Sequence, residues 1–167
     1  IVRSLLDFCW SLSPKERDRI DINHTIEESL FMLNHYIISC GIKIEKCFAP
    51  DIGQIPDFRL KLAFDNIIKN ACEAMKGGGT LSITTLASGE IIEIVIKDTG
   101  PGISMEMQSR IFEPFFTTKK MGDGAGLGLA IAYEIVQRYQ GEIFVENGEG
   151  GGASFLIRIP VQSQCNK

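Results

Sequence analysis

Residues 60–75 read LKLAFDNIIKNACEAM, and the reading of this stretch decides the fold. Its apolar residues recur at the three- and four-residue spacing of a helix with one buried face. The helix is expected over 57–76 and ends at the glycine run 77–79. Asn66, Asn70 and Glu73 fall on one side of it, with Ala63 and Ala74 close to the same stripe. Asn is a poor interior helix residue, because its amide competes for backbone hydrogen bonds. Two readings fit a pair of them one turn apart. An Asn carbonyl oxygen can ligate Mg²⁺, a hard cation that takes one or two protein oxygens plus water and substrate phosphates. Equally, the pair can be exposed, or buried and bonded to backbone.

Downstream, residues 80–86 and 91–98 read as two strands joined by a Ser88-Gly89 turn, a hairpin. In IIEIVIKD, Ile92, Ile94, Ile96 and Asp98 share one face by the two-residue period of a strand. A carboxylate thus ends a row of isoleucines, and Gly100 and Gly102 leave space beside it. It can accept a hydrogen bond from an exocyclic amine such as that of adenine. An Asp before Gly-Pro-Gly is also an ordinary turn residue. Residues 99–125 have no clear period, and a loop of that length is often a lid. Residues 126–139 read as a helix, and 142–147 and 153–160 as two strands around GEGGG.

Upstream, 20–23 fits a short strand and 42–48 an alternating one. Between them, His24 to Cys40 carries Ile26, Leu30, Leu33 and Ile37 at helical spacing, with Gly41 at the stop position. Residues 50–56 read as loop. These elements predict an α/β two-layer sandwich, with a mixed, mostly antiparallel sheet of about five strands covered by three helices on one face.

The stretch MGDGAGLGLAIA (121–132) places alternating glycines directly before a helix. No Gly-Lys-Ser/Thr follows, and no strand precedes, so neither a Walker loop nor a dinucleotide fingerprint fits. Bare N–H groups at a helix start still bind phosphate, and Lys119 and Lys120 would add positive charge. A flexible surface loop fits the glycines as well.

The bulk properties narrow the class. The chain has 167 residues and a net charge of −4, which speaks against a general nucleic-acid binder. Five cysteines, an odd number without CxxC spacing, suggest reduced thiols and a cytoplasmic domain. No apolar run approaches the ~20 residues of a membrane span. The first residue is Ile1, so a piece of a longer protein is expected, whose other segments are free to be membranous.

Taken together, the motifs resemble the ATP-binding domain of sensor histidine kinases, within the gyrase–chaperone–kinase–MutL (GHKL) ATPase family. The N-box is similar to NIIKNACEAM (66–75), and the first glycine box to DTGPGI (98–103). FEPFFTTK (112–119) resembles the phenylalanine box, and GAGLGLAIA (124–132) the second glycine box. The closing strands resemble GEIFVEN (141–147) and GGASFLIRIP (151–160).

The resemblance implies ATP and Mg²⁺ as cofactors, with Asn70 on the metal and Asn66 supporting the phosphate side. It implies Asp98 on the adenine amine, Gly100 and Gly102 shaping the adenine floor, and Phe112, Phe115 and Phe116 in the lid. Lys119 would approach the phosphates, and Gly124, Gly126, Leu127, Gly128 and Leu129 would cradle them. Glu73, Ala74, Ile103, Thr118 and Ser154 complete the expected contacts. In the gyrase and MutL branches a glutamate stands in the place of Asn66 and acts as general base; an amide cannot. The implied function is transfer of the γ-phosphoryl group from ATP·Mg²⁺ to a histidine on a separate dimerisation domain. Implied partners are that upstream domain, a response-regulator receiver domain, and a second copy of the parent. A non-catalytic nucleotide-sensing module, or a slow ATPase or protein kinase of another branch, is the alternative.

Three departures stand out. The acceptor box, His-Glu/Asp-Pro in outline, is missing: His24 precedes Thr-Ile-Glu and His35 precedes Tyr-Ile-Ile. Residues 1–12 resemble the end of a dimerisation helix, so the acceptor is expected upstream and the catalytic domain over 20–162. The threonine of the last box is Ala153, with Ser154 next, and Glu73 stands where many relatives carry lysine.

Overall fold

The computed structural model describes residues 19–119, 125–148 and 150–161. The expected remnant helix at 1–12, Lys120, Gly122, Gly124 and Gln162 lie outside these residues.

In chain order the elements are β1 (Arg19–Asp21), α1 (Ile22–Met32), α2 (Asn34–Ser39), β2 (Ile42–Phe48), β3 (Gln54–Pro56), α3 (Leu60–Ala74), β4 (Gly79–Ser88), β5 (Ile91–Asp98), α4 (Met105–Gln108), α5 (Gly128–Arg138), β6 (Glu142–Asn147) and β7 (Ala153–Pro160). Five strands form one sheet in the order β2-β4-β5-β7-β6. β2 runs parallel to β4, and the other neighbours are antiparallel. A parallel pair needs a long crossover, and α3 supplies it. The predicted sandwich is therefore the observed one: a mixed sheet with helices on one side.

The strand alternation explains which side. Ile92, Ile94, Ile96 and Asp98 are all buried, as are Leu81 and Ile83 of β4 and Phe155, Ile157 and Ile159 of β7. They meet Ala63, Phe64, Ile67, Ile68, Ala71 and Cys72 of α3, the helix at the centre of the covering layer. α5 packs beside α3 through Ala132, Ile135 and Val136. α1 lies against α3 through a stripe of Ile22, Ile26 and Leu30.

Several local expectations are corrected. The helix read over 24–40 is two: the chain bends at Leu33 (φ −92°, ψ 5°), which keeps Ile37 buried while Phe31, Met32 and Ile38 face solvent. It starts at Ile22, two residues earlier than expected, because Asp21 caps it, its carboxylate accepting from the His24 N–H at 2.8 Å. The loop read at 50–56 holds β3, which pairs with β1 in a separate two-stranded sheet. Three residues are too few to show an alternation. α3 begins at Leu60, since Arg59 adopts a left-handed φ of 69° that no helix continues through. α5 likewise begins at Gly128 and not at 126.

Phe64 is fully buried at the α3–sheet contact. Phe64→Ala is expected to lower unfolding free energy by about 3–5 kcal/mol, read as a shift of the urea midpoint.

Candidate functional site

The α3 stripe and the end of β5 converge on one side of the sheet. Asp98 ends the buried row of β5 and is itself only 4% exposed. One carboxylate oxygen, Oδ1, accepts from the Gly100 N–H at 2.8 Å and from the Ala153 N–H at 3.2 Å. The β7 chain reaches this point through Gly152, whose φ is +80°. A Cβ there would lie 1.9 Å from the Asp98 carbonyl oxygen, so only glycine fits. Asp98 Oδ2 takes no hydrogen bond from a described residue.

On α3, Asn70 and Glu73 face the Lys119 side chain. The Lys119 ammonium donates to Asn70 Oδ1 at 3.2 Å and to a Glu73 carboxylate oxygen. Asn66, one turn earlier, uses its amide N–H₂ on the Leu62 carbonyl at 2.9 Å. Its oxygen lies against Gly128, where a Cβ would stand 2.9 Å away. Asn66 thus sets how closely α3 and the start of α5 approach.

A cavity of about 440 Å³ lies between these groups, within the ~300–1,000 Å³ usual for small-molecule sites. Of the residues singled out in the sequence, Asn70, Glu73, Ala74, Asp98, Gly102, Ile103, Phe116, Thr118, Lys119, Gly126, Leu129 and Ala153 line it. Asn66, Gly100, Phe112, Leu127, Gly128 and Ser154 do not. Gly100 shapes the Asp98 turn, as above. Phe112 packs behind the wall, its ring 5.6 Å from Tyr133 and 6.4 Å from Phe155. Ser154 is buried, but its neighbours Ala153 and Phe155 line the cavity, and alternate residues of a strand face opposite sides.

Other walls were not read from the sequence. Met107 of α4 and Ile111, three residues beyond that helix, also reach the cavity, with the Ile111 N–H donating to the Met107 carbonyl at 2.9 Å. Ala71, Pro101, Ser104, Thr117 and Phe155 also line it. Asn147 holds one wall in place: it accepts from the Ile103 N–H and donates to the Ile103 carbonyl, both at 2.8 Å. Phe115, next to the wall residue Phe116, is 62% exposed with φ +68°. Its N–H donates to the Gly126 carbonyl at 2.9 Å, which ties it to the chain entering α5.

Cys72 lies two residues beyond Asn70 but belongs to the core. Burial, then the nearby Cys40 and Glu73, pushes its thiol up to about 11. Among the described residues, Cys40, Cys47 and Cys72 are free cysteines.

Residues 57–163, more than half of the chain, match the family model described as histidine kinase-, DNA gyrase B-, and HSP90-like ATPase. The chain belongs to this family. It carries the family's catalytic ATPase domain, and the resemblance seen in the four motif boxes is borne out. Sporulation kinase E of Bacillus subtilis (strain 168) is 42% identical over 150 residues, covering 87% of this chain and 20% of that protein. Sensor histidine kinase ZraS of Escherichia coli (strain K12) is 35% identical over 145 residues, covering 85% of this chain and 30% of its own length. The chain therefore spans a minor part of these relatives. Among solved structures, the catalytic domain of histidine kinase ThkA matches with a TM-score of 0.77 at 29% identity, covering 87% of this chain and 96% of that one.

Two outcomes follow from the geometry. Asn147→Ala removes both hydrogen bonds to Ile103, and amide exchange at Ile103 is expected to quicken while the sheet amides keep their protection. Iodoacetamide at pH 8 is expected to label exposed Cys47 in the native protein and to spare Cys72 until it unfolds, read by mass mapping of the labelled peptides.

Proposed function

We propose that the cavity holds ATP with Mg²⁺ and delivers the γ-phosphoryl group to a histidine on a separate dimerisation domain, as in a two-component sensor kinase. The observation that carries the reading is the fixed Asp98 carboxylate. Two backbone N–H groups hold Oδ1, which leaves Oδ2 as an acceptor for an exocyclic amine. Asn70 and Lys119 lie in the wall of the same cavity and suit phosphates.

The residues present fit a magnesium ion. Asn70 Oδ1 already faces a cation, the Lys119 ammonium, and a neutral amide suits a site whose negative charge comes with the phosphates. When bound, Mg²⁺ neutralises charge on the β- and γ-phosphates. Lys119 and the N–H groups opening α5, which have no side-chain cap, would meet phosphate oxygens. Transfer of this kind rests on positioning and charge stabilisation rather than covalent catalysis.

Asn66 supports a kinase over a fast ATPase. Its amide is engaged with Leu62 and is no base for an attacking water. Neither described histidine lies in the cavity wall. His24 is largely exposed beside Glu28, and His35 stands by Tyr36 on the surface. An acceptor histidine would come from an upstream domain, and a response-regulator receiver would take the phosphoryl group from it. The division into a remnant helix at 1–12 and a catalytic domain over 20–162 belongs to the same proposal, as does a homodimeric parent in the cytoplasm or anchored in a membrane. Among the described residues, no helix is long and apolar enough to cross a membrane.

Asp98→Asn keeps an oxygen for Gly100 and Ala153 but turns the other acceptor into a donor. Titration calorimetry with ATP and Mg²⁺ is expected to show binding in the parent chain and none in Asp98→Asn or Asn70→Asp. Unchanged affinity in both variants excludes this site. The chain alone is expected to form no phosphohistidine, and to phosphorylate an added dimerisation domain in trans; acid-labile phosphate on the chain itself contradicts the assignment.

A further inference from the structure

We propose that Lys119 and Glu73 form a latch that closes the lid over Asn70 and competes with magnesium–nucleotide for that amide oxygen. The proposal rests on the reading of Asn70 given above. Lys119 and Glu73 are 46 residues apart in sequence, and Lys119 and Asn70 are 49 apart, so the contact is a cross-cavity tether between the lid segment and α3.

Asn70 Oδ1 faces an ammonium at 3.2 Å. A magnesium ion would need that same front at about 2.1 Å, and two cations cannot share it. Nucleotide entry therefore requires Lys119 to leave Asn70. Glu73 gives the latch its hold, since its carboxylate is the charged partner of the ammonium. The pair is partly exposed, with 37% of the Lys119 and 21% of the Glu73 side chain accessible, so the hold is modest and the latch can open.

The placement of charge differs from the pattern in which a lysine on the helix occupies position 73. A cation there would be fixed on α3, independent of residues 116–119. Here the helix carries the acid and the lid carries the cation, so the cation's position depends on the occupant. With phosphates present, Lys119 exchanges the amide for phosphate oxygens. Without them it returns to Asn70 and Glu73. Lid position and nucleotide occupancy are thus coupled through one side chain.

The test measures affinity for a non-hydrolysable ATP analogue with Mg²⁺ in the parent chain, Glu73→Gln, Lys119→Met and the double variant. Glu73→Gln is expected to tighten binding about two- to fivefold, the range of a partly exposed ion pair. In the Lys119→Met background the same substitution is expected to gain less. An equal or larger gain in that background means simple repulsion between Glu73 and phosphate, and overturns the latch. So does a loss or no change of affinity in Glu73→Gln. A second measurement needs no nucleotide: amide exchange over 116–119 is expected to quicken in Glu73→Gln and in Lys119→Met, and unaltered exchange also overturns the latch. If the parent chain itself fails to bind the analogue, the nucleotide site is what fails.

Discussion

The carboxylate of Asp98, held by backbone N–H groups from both sides, is the constraint on which the site depends. One donor comes from its own turn at Gly100 and the other from Ala153 at the start of β7. The two bonds join the end of one strand to the beginning of its neighbour. They also orient a buried acid, whose desolvation is tolerable only when it is hydrogen-bonded. The near contact at Gly152 follows from the same join, since the two backbones approach too closely for any side chain.

Around that point the molecule divides into two parts. The rigid part is the isoleucine face of β4, β5 and β7 against α3, where Ile67, Ile68, Ile92 and Ile94 have no solvent exposure. It carries Asp98, Asn70 and Glu73. The other part is the chain over residues 103–119, tied to the rest by Asn147 on Ile103, the Phe115 N–H on Gly126, and Lys119 on Asn70 and Glu73. Groups that recognise a base belong on the first part. In the proposed function, Lys119 is the group that would follow a phosphate, and it lies beyond Ile111, Phe112 and Phe116, which anchor this segment to the core.

Much of this was legible in the chain. The helical stripe of 60–75 and the alternation of 91–98 each declare a buried face, and Asp98 sits on the buried side by simple parity. The order of the motif boxes carried the family. What parity and period did not reveal is equally specific. β3 is three residues long and α4 four, too short for any period to show, so Met107 and Ile111 went unread as cavity walls. Ser154 stood next to the altered position in the last box, yet the strand turns it away and brings Ala153 to the cavity.

By itself, the sequence determined the layers, the faces they bury and the family, because these depend on residue spacing along a local helix or strand. Only the tertiary structure decided that β2 lies parallel to β4, that Ala153 and Gly100 share one oxygen of Asp98, and that Lys119 crosses the cavity to Asn70 and Glu73. Apart from the local Gly100 bond, those contacts join residues 46 to 55 positions apart or strands not adjacent in the chain. No local pattern encodes such partners; they are chosen by which surfaces the packed core leaves facing one another.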